Sequence, residues 1–357
     1  MVFVAGAGTC TYLMFLVAAP RRRALPNFGN FQQESVIPAD TVSSAAGSSD
    51  IPSCSVVIPT HRRPDDLERC LSAIAEQDYR RFDVIVVDNS AGDSETREVA
   101  KRWKARYVTE TKRGLCRARN RGALVSSADI IAYLDDDSIP EPNWLAGLAN
   151  EFRDPDVMGV GGKTVPLRIV TDSERLFAQV RGGAYNRPAP LVVDRNTPYW
   201  FEICGFGGIG AGCNMAVRRA AFEVWPGFHE RTDRGTPVYG GGEQHAFFSL
   251  VDRGFKVCYT PHAVVRHPFP PTMDMLKRRY LHDLTASTAY FTMLLVEETG
   301  HRRSTMRYLW EAIRGKERTW RGDVTPRPKV VSRLSTTFAL LLGPVRYIQG
   351  VLLNTPN

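Results

Sequence analysis

Between residues 54 and 134, short apolar runs alternate with amphipathic segments, and this rhythm narrows the chain to one fold class. Ser55-Val56-Val57-Ile58, Phe82-Asp83-Val84-Ile85-Val86-Val87 and Ile130-Ile131-Ala132-Tyr133-Leu134 are short, apolar and rich in β-branched residues, so they predict strands. Pro64 to Glu76 places Leu67, Cys70, Leu71 and Ile74 on one helical face; Asp93 to Lys104 predicts a polar helix and Leu115 to Val125 another. This spacing implies βαβ units, hence an α/β fold with a mostly parallel central sheet flanked by helices. Ligands of such sheets bind beyond the carboxyl ends of the strands. The residues just after each run therefore matter most: Pro59-Thr60-His61-Arg62, Asp88-Asn89-Ser90 and Asp135-Asp136-Asp137.

The chain has 357 residues, 43% of them hydrophobic, enough for a large core without disulfides or a structural metal. Its 7 cysteines are odd in number and widely spaced, which reads as a reducing compartment. The net charge of +8 is localised: from Met275 onward there are 14 Lys/Arg against 6 Asp/Glu, so that stretch carries the whole excess. No zinc finger, RNA-recognition signature or basic zipper accompanies it, so no nucleic-acid partner is expected. A balanced body with a basic, partly apolar tail reads as a protein resting on an anionic membrane surface, at the cytoplasmic face; a solvated helical face is the plainer alternative.

Four regions follow. Residues 1–23 are an apolar segment closed by Arg21-Arg22-Arg23, a candidate membrane anchor that would keep the downstream chain cytoplasmic. Residues 24–53 read as a linker, 54–270 as the α/β body, divided at 140 into two halves, and 271–357 as a basic helical extension. In the extension, Leu281 to Glu297 predicts a helix, and the run from Phe338 to Val345 is interrupted by Arg346, which suits an interfacial helix better than a span.

Three adjacent carboxylates repel one another and call for a cation. Hard oxygen ligands favour Mg²⁺ or Mn²⁺, and a site with one or two protein carboxylates leaves room for phosphate oxygens. The plainer alternative is an acidic loop capping the helix near Pro142.

The ordered series Val57-Ile58-Pro59-Thr60-His61-Arg62, Leu67 to Leu71, Gln77-Asp78-Tyr79, Val84 to Ser90, Ala118-Arg119-Asn120-Arg121-Gly122 and Tyr133 to Asp137 resembles family 2 glycosyltransferases of the GT-A fold. Gly210 to Ala216 and Gly241-Gly242-Glu243 continue the resemblance, which covers roughly residues 54–270. It implies an inverting, metal-dependent transferase of hexosyltransferase type, with a nucleotide-diphospho-sugar donor and a glycan or lipid-linked acceptor in cell-envelope synthesis. It assigns Pro59, Thr60, Arg62 and Asp88 to the nucleotide, Asp135 to the ribose and Asp137 to the metal. Arg113, Arg119 and Asn120 fall at the start of a helix, where guanidinium groups and a helix N-terminus suit a diphosphate. His267 would complete the metal shell. Gly212, Cys213 and Asn214 fall in the acceptor pocket; Trp144 would stack on a sugar or pack in the core.

The family's usual Glu-Asp pair is here Glu243-Gln244-His245, and an amide cannot take a proton at neutral pH. Glu243 is the expected base and His245 the alternative; a catalytically silent sugar-nucleotide binding protein is the rival reading. The QxxRW motif of processive relatives does not occur, so a single sugar addition is expected.

Overall fold

The computed structural model describes residues 51–185, 187–314 and 330–353. The candidate anchor over 1–23 and most of the 24–53 linker lie outside the described residues.

The chain runs β1 (Cys54–Thr60), α1 (Pro64–Ala75), β2 (Phe82–Asp88), α2 (Ser94–Arg102), β3 (Arg106–Thr109), α3 (Leu115–Val125), β4 (Ile130–Leu134), β5 (Ile139–Pro140), α4 (Trp144–Glu151) and β6 (Val157–Pro166). It continues through α5 (Asp172–Tyr185), β7 (Leu191–Val193), α6 (Trp200–Gly205), β8 (Asn214–Arg218), α7 (Gly242–Asp252), β9 (Lys256–His267), α8 (Met273–Glu297), α9 (Arg302–Ile313) and α10 (Arg333–Leu353). One sheet holds the described strands in the order β3-β2-β1-β4-β8-β6-β9-β5, with β7 also on β9. β8, β5 and β7 run against the others, so the sheet is mixed and mostly parallel, as the sequence predicts.

Alternation along the strands sends side chains to opposite faces. Val57, Ile85, Ile131 and Tyr133 enter one core with Cys116 and Ala118 of α3; Val56, Ile58, Val86 and Leu134 enter the other beneath Leu67, Leu71 and Ile74 of α1 and Trp144 of α4. Each fully buried Ile or Leu contributes about 1.5–3 kcal/mol. Gly122 lets α3 lie close on the sheet: a Cβ there would stand 2.3 Å from Val57 Cγ1. α1 starts where Pro64 fixes the first turn and Asp65 and Asp66 complement its dipole.

Register decides where function can sit. Thr60 pairs with Asp88, and Asp88 with Thr109, so the segments after β1, β2 and β3 emerge along one edge of the sheet.

The C-terminal run folds as one helix through Arg346: α10 is continuous over 21 residues and, by length and composition, long and apolar enough to cross a membrane. The guanidinium stays on the exposed side, bonded to Gln349 Oε1 at 3.0 Å, so the helix continues without burying charge. Ala339, Gly343, Tyr347 and Gly350 are buried, and α10 packs along α8 on that side. Leu334, Phe338, Leu341, Val345 and Leu352 are exposed on the other.

Candidate active site

The acidic triplet follows β4 at the carboxyl edge, and its three carboxylates have different surroundings. Asp136 is buried and accepts hydrogen bonds from Thr60 Oγ1 at 2.8 Å and Arg63 at 2.8 Å. Burial, partly offset by Arg63 and reinforced by Asp137, pushes its carboxyl up to about 7. Asp137 accepts from Arg63 at 3.0 Å through Oδ2, while Oδ1 lies 3.3 Å from His267 Nε2. Burial would raise the Asp137 carboxyl; His267, Arg63 and Arg234 together hold it well below the usual range. Asp135 faces Arg119 at 3.4 Å.

Ligating atoms of Asp135, Cys213 and His267 lie within 4.8 Å of one another. Burial above all, with the Asp135 charge, pushes the Cys213 thiol up to about 12, and a soft sulfur is a poor match for a hard cation such as Mg²⁺ or Mn²⁺. The useful donors are therefore carboxylates and an imidazole. Asp137 Oδ1 is buried and, among the described residues, faces only the His267 imidazole, without a well-aligned hydrogen bond. Asp135 and His267 of this group, with Asp137 beside His267, are donor types that suit Mn²⁺, or Mg²⁺ less closely, so the residues present fit the expected ion.

Beside this cluster lies a cavity of about 270 Å³ whose wall includes Pro59, Thr60, Arg63, Arg113, Asp135 and Arg234. Two of these arginines escape a sequence reading. Arg62 is exposed, turned out by a left-handed backbone at φ 55°, and the next residue, Arg63, reaches the carboxylates instead. Arg234 comes from the loop before α7; its charge acts on Asp135, Asp233 and Asp137, and its guanidinium has no hydrogen-bond partner among the described residues. Its sequence signal is weak: Arg234 is one of two arginines, with Arg231, in the glycine-rich segment before Gly241-Gly242-Glu243.

Several residues expected at the donor are engaged elsewhere. Arg119 is buried, donating to Asp233 Oδ2 at 2.9 Å and the Gly212 carbonyl at 2.9 Å, so it ties α3 to the acidic loops and has little left for a diphosphate. Gly212 serves that bond, since a Cβ there would meet Arg119 at 2.8 Å. The Asn120 amide is spent on both backbone groups of Phe228, at 2.9 and 2.8 Å. Asp88 is fully buried and accepts from Ser90 (backbone and hydroxyl), the Asp93 backbone and the Tyr107 hydroxyl, so it shapes the loop after β2 instead of presenting an oxygen to a base.

Of the two expectations for Trp144, core packing is the one the structure meets. Its ring is wholly buried and its indole N–H donates to Asn214 Oδ1 at 2.8 Å, so it cannot stack on a sugar. Asn214 in turn donates to the carbonyls of Lys163 and Ala263 at 2.8 and 2.9 Å, stitching strands together beneath the site, away from any acceptor.

On α7, Glu243 lies in the first turn, where its charge reaches Cys116, Arg119 and Cys213. His245 faces elsewhere, toward Glu298 at the end of α8 and Ser249, with the His229 ring 5.2 Å away. Gln244 Oε1 is buried without a hydrogen bond.

Residues 55–225 match the family described as Glycosyl transferase family 2. The glycosyltransferase AglE of Haloferax volcanii is 24% identical over 241 residues, 65% of this chain and 72% of that protein. An N-acetylglucosaminyltransferase of Rhizobium leguminosarum bv. viciae is 24% identical over 241 residues, 65% of this chain and 54% of the relative, so the chain spans about half the length of that protein. Among solved structures, Staphylococcus aureus TarS 1-349 superposes with a TM-score of 0.52 at 15% identity, covering 84% of this chain and 81% of the other. The likeness is one of fold: a mixed, mostly parallel sheet of GT-A type with helices C-terminal to it.

Proposed function

We propose that this chain, which carries a glycosyl transferase family 2 domain over residues 55–225, moves one sugar from a nucleotide-diphospho-sugar to an acceptor hydroxyl with inversion. The observation that carries this reading is the convergence of Asp135, Asp137 and His267 with Arg113 and Arg234 at the carboxyl edge of parallel strands. Carboxylates beside unsatisfied arginines suit a diphosphate with its counter-cation better than they suit a neutral ligand.

Pro59 and Thr60 border the nucleotide, and Arg113 and Arg234 counter the diphosphate charge. Asp135, Asp137 and His267 would hold Mn²⁺ or Mg²⁺, which when bound supplies charge stabilisation to the departing diphosphate. Thr60 and Arg63 fix Asp136 and so the loop that presents its neighbours. Glu243 takes the proton of the acceptor hydroxyl as its oxygen attacks the anomeric carbon; that C–O bond forms while the bond to the diphosphate breaks on the opposite side, which inverts the centre.

The acceptor is a glycan or lipid-linked molecule in cell-envelope polysaccharide or glycolipid synthesis. The protein works at the cytoplasmic membrane face, a placement supported by the exposed apolar side of α10 and the basic charge around it. A panel of nucleotide-sugar donors, with Mn²⁺ or with chelator, tests the reading through nucleoside diphosphate release; no release from any donor with extracts as acceptor would reject it.

Gln244 favours a second reading, a catalytically silent sugar-nucleotide binder. Under it Gln244→Asp raises turnover from nothing, whereas under the first reading the substitution changes an existing rate little.

A further inference from the structure

The loop before α7, residues 228–241, lies beyond the stretch that matches the family, yet it carries Arg234 into the donor cavity. The loop is built to aim that side chain. Thr236 Oγ1 donates to the carbonyls of Arg231 and Asp233 at 2.9 and 2.8 Å, and Thr232 Oγ1 donates to the His229 carbonyl at 2.7 Å, so the segment is a turn held by its own side chains. Asp233 takes a left-handed backbone at φ 75°, and its carboxylate accepts from the Arg234 N–H at 3.0 Å and from Arg119 at 2.9 Å. The Arg234 carbonyl accepts from the N–H of Leu115, the first residue of α3, at 2.9 Å. The backbone of Arg234 is thereby fixed on the side that faces the donor.

The other side of the loop rests on α8 and α10. Glu297, the last residue of α8, has a side chain only 12% exposed, and both of its oxygens are used. Oε2 pairs with His229 at 3.0 Å and with Arg231, both in the loop; Oε1 accepts from the Tyr347 hydroxyl of α10 at 3.0 Å. Close packing backs these bonds. A Cβ at Gly343 of α10 would stand 2.0 Å from Thr288 Oγ1 of α8, and one at Gly350 would stand 3.3 Å from Val238 Cγ2 of the loop. Hydrogen bonds fix direction as well as distance. A chain of them therefore runs from Tyr347 through Glu297 to Arg231, and from the Arg231 carbonyl through Thr236 to the residues on either side of Arg234.

We propose that Glu297 and Tyr347 are positioning residues of the donor site: through Arg231 and the loop they set where Arg234 meets the diphosphate. The two C-terminal helices are then working parts of the transferase. The proposal rests on the transferase reading above and extends it to residues that touch no substrate.

The test is calorimetric titration of the full chain with uridine and guanosine diphosphates in the presence of Mn²⁺. Glu297→Gln keeps the shape of the side chain and removes its charge; Tyr347→Phe removes one oxygen atom, and circular dichroism checks the fold of each. Diphosphate affinity is expected to fall about tenfold in the first and about threefold in the second, within the range that side-chain networks transmit. In an Arg234→Gln background the same substitutions should cost little more, because the guanidinium they position is gone. Amide hydrogen exchange over residues 229–239 should be faster in both variants, with residues 130–134 of β4 unchanged. Unchanged diphosphate affinity in both variants, or a full loss repeated on top of Arg234→Gln, would overturn the proposal and leave Glu297 a stabilising contact only. No nucleotide binding by the wild type, with faster loop exchange in the variants, would reject the transferase reading while the hold on the loop stands; unchanged exchange would overturn the hold itself.

Discussion

His245 Nε2 lies 3.0 Å from Glu298 Oε1, and this contact turns the imidazole toward the end of α8 while Glu243, two positions earlier on the same helix, acts on Cys213 and Arg119. Residues two apart on a helix sit about 200° around its axis, so they cannot both serve one pocket. Glu243→Gln is therefore expected to lower kcat by about 10² or more with little change in nucleotide affinity, the signature of a base acting in the transition state. Single-turnover kinetics would measure it. A dead His245→Ala beside an active Glu243→Gln would reverse the assignment.

Asp137 presents a buried oxygen whose one close polar neighbour among the described residues is the His267 imidazole, 3.3 Å away. Asp137→Asn should weaken Mn²⁺-dependent binding of nucleoside diphosphate by about 2 kcal/mol or more, read by calorimetry, since a charged partner of the ion is lost. Identical affinities with and without metal in the wild type would remove the ion from the account.

Arg234→Gln removes the charge and shortens the side chain while keeping it polar. Affinity for a nucleoside diphosphate should drop about tenfold, while affinity for the bare nucleoside stays put, as expected of a guanidinium that counters phosphate charge and does not touch the base. An equal drop for both ligands would make Arg234 a packing residue.

Trp144 and Asn214 predict a stability effect with no kinetic counterpart. Trp144→Phe leaves Asn214 Oδ1 buried without its donor, a cost of about 1–3 kcal/mol in denaturant unfolding. The KM for acceptor should not move; a raised KM at unchanged stability would return the ring to the sugar site.

Glu297 links α8, α10 and the loop before α7: its carboxylate accepts from Tyr347 at 3.0 Å and pairs with His229 at 3.0 Å and with Arg231. Burial would raise its carboxyl, but His229, Arg231 and Tyr347 bring it down to about 2. A depressed carboxylate contributes stability that is present above its ordinary pKa near 4.5 and lost as pH falls toward 2, on the order of 3 kcal/mol in total. Urea unfolding of the wild type should lose stability across that window more steeply than Glu297→Gln; parallel curves would show that the carboxylate carries no such linkage.

Much of the scaffold was legible because its signals are local. The runs 130–134 and 115–125 fold as the strand and helix their residues predict, since length, β-branching and apolar spacing act within a few neighbours. β3 was not legible: four residues, Arg106 to Thr109, are held as a strand by pairing with β2, and pairing lies outside any window of sequence.

The sequence by itself determined the order of the motifs, their position after strands, and therefore that acids and bases would gather at one edge of an α/β sheet. Tertiary structure alone decided which of them stay available. Arg119 is spent on Asp233, 114 residues away, and Trp144 on Asn214, 70 away, while Arg63 replaces Arg62 through one left-handed residue and Arg234 arrives from a loop without secondary structure. Buried polar groups must find partners wherever the fold supplies them, and sequence separation carries no record of that choice.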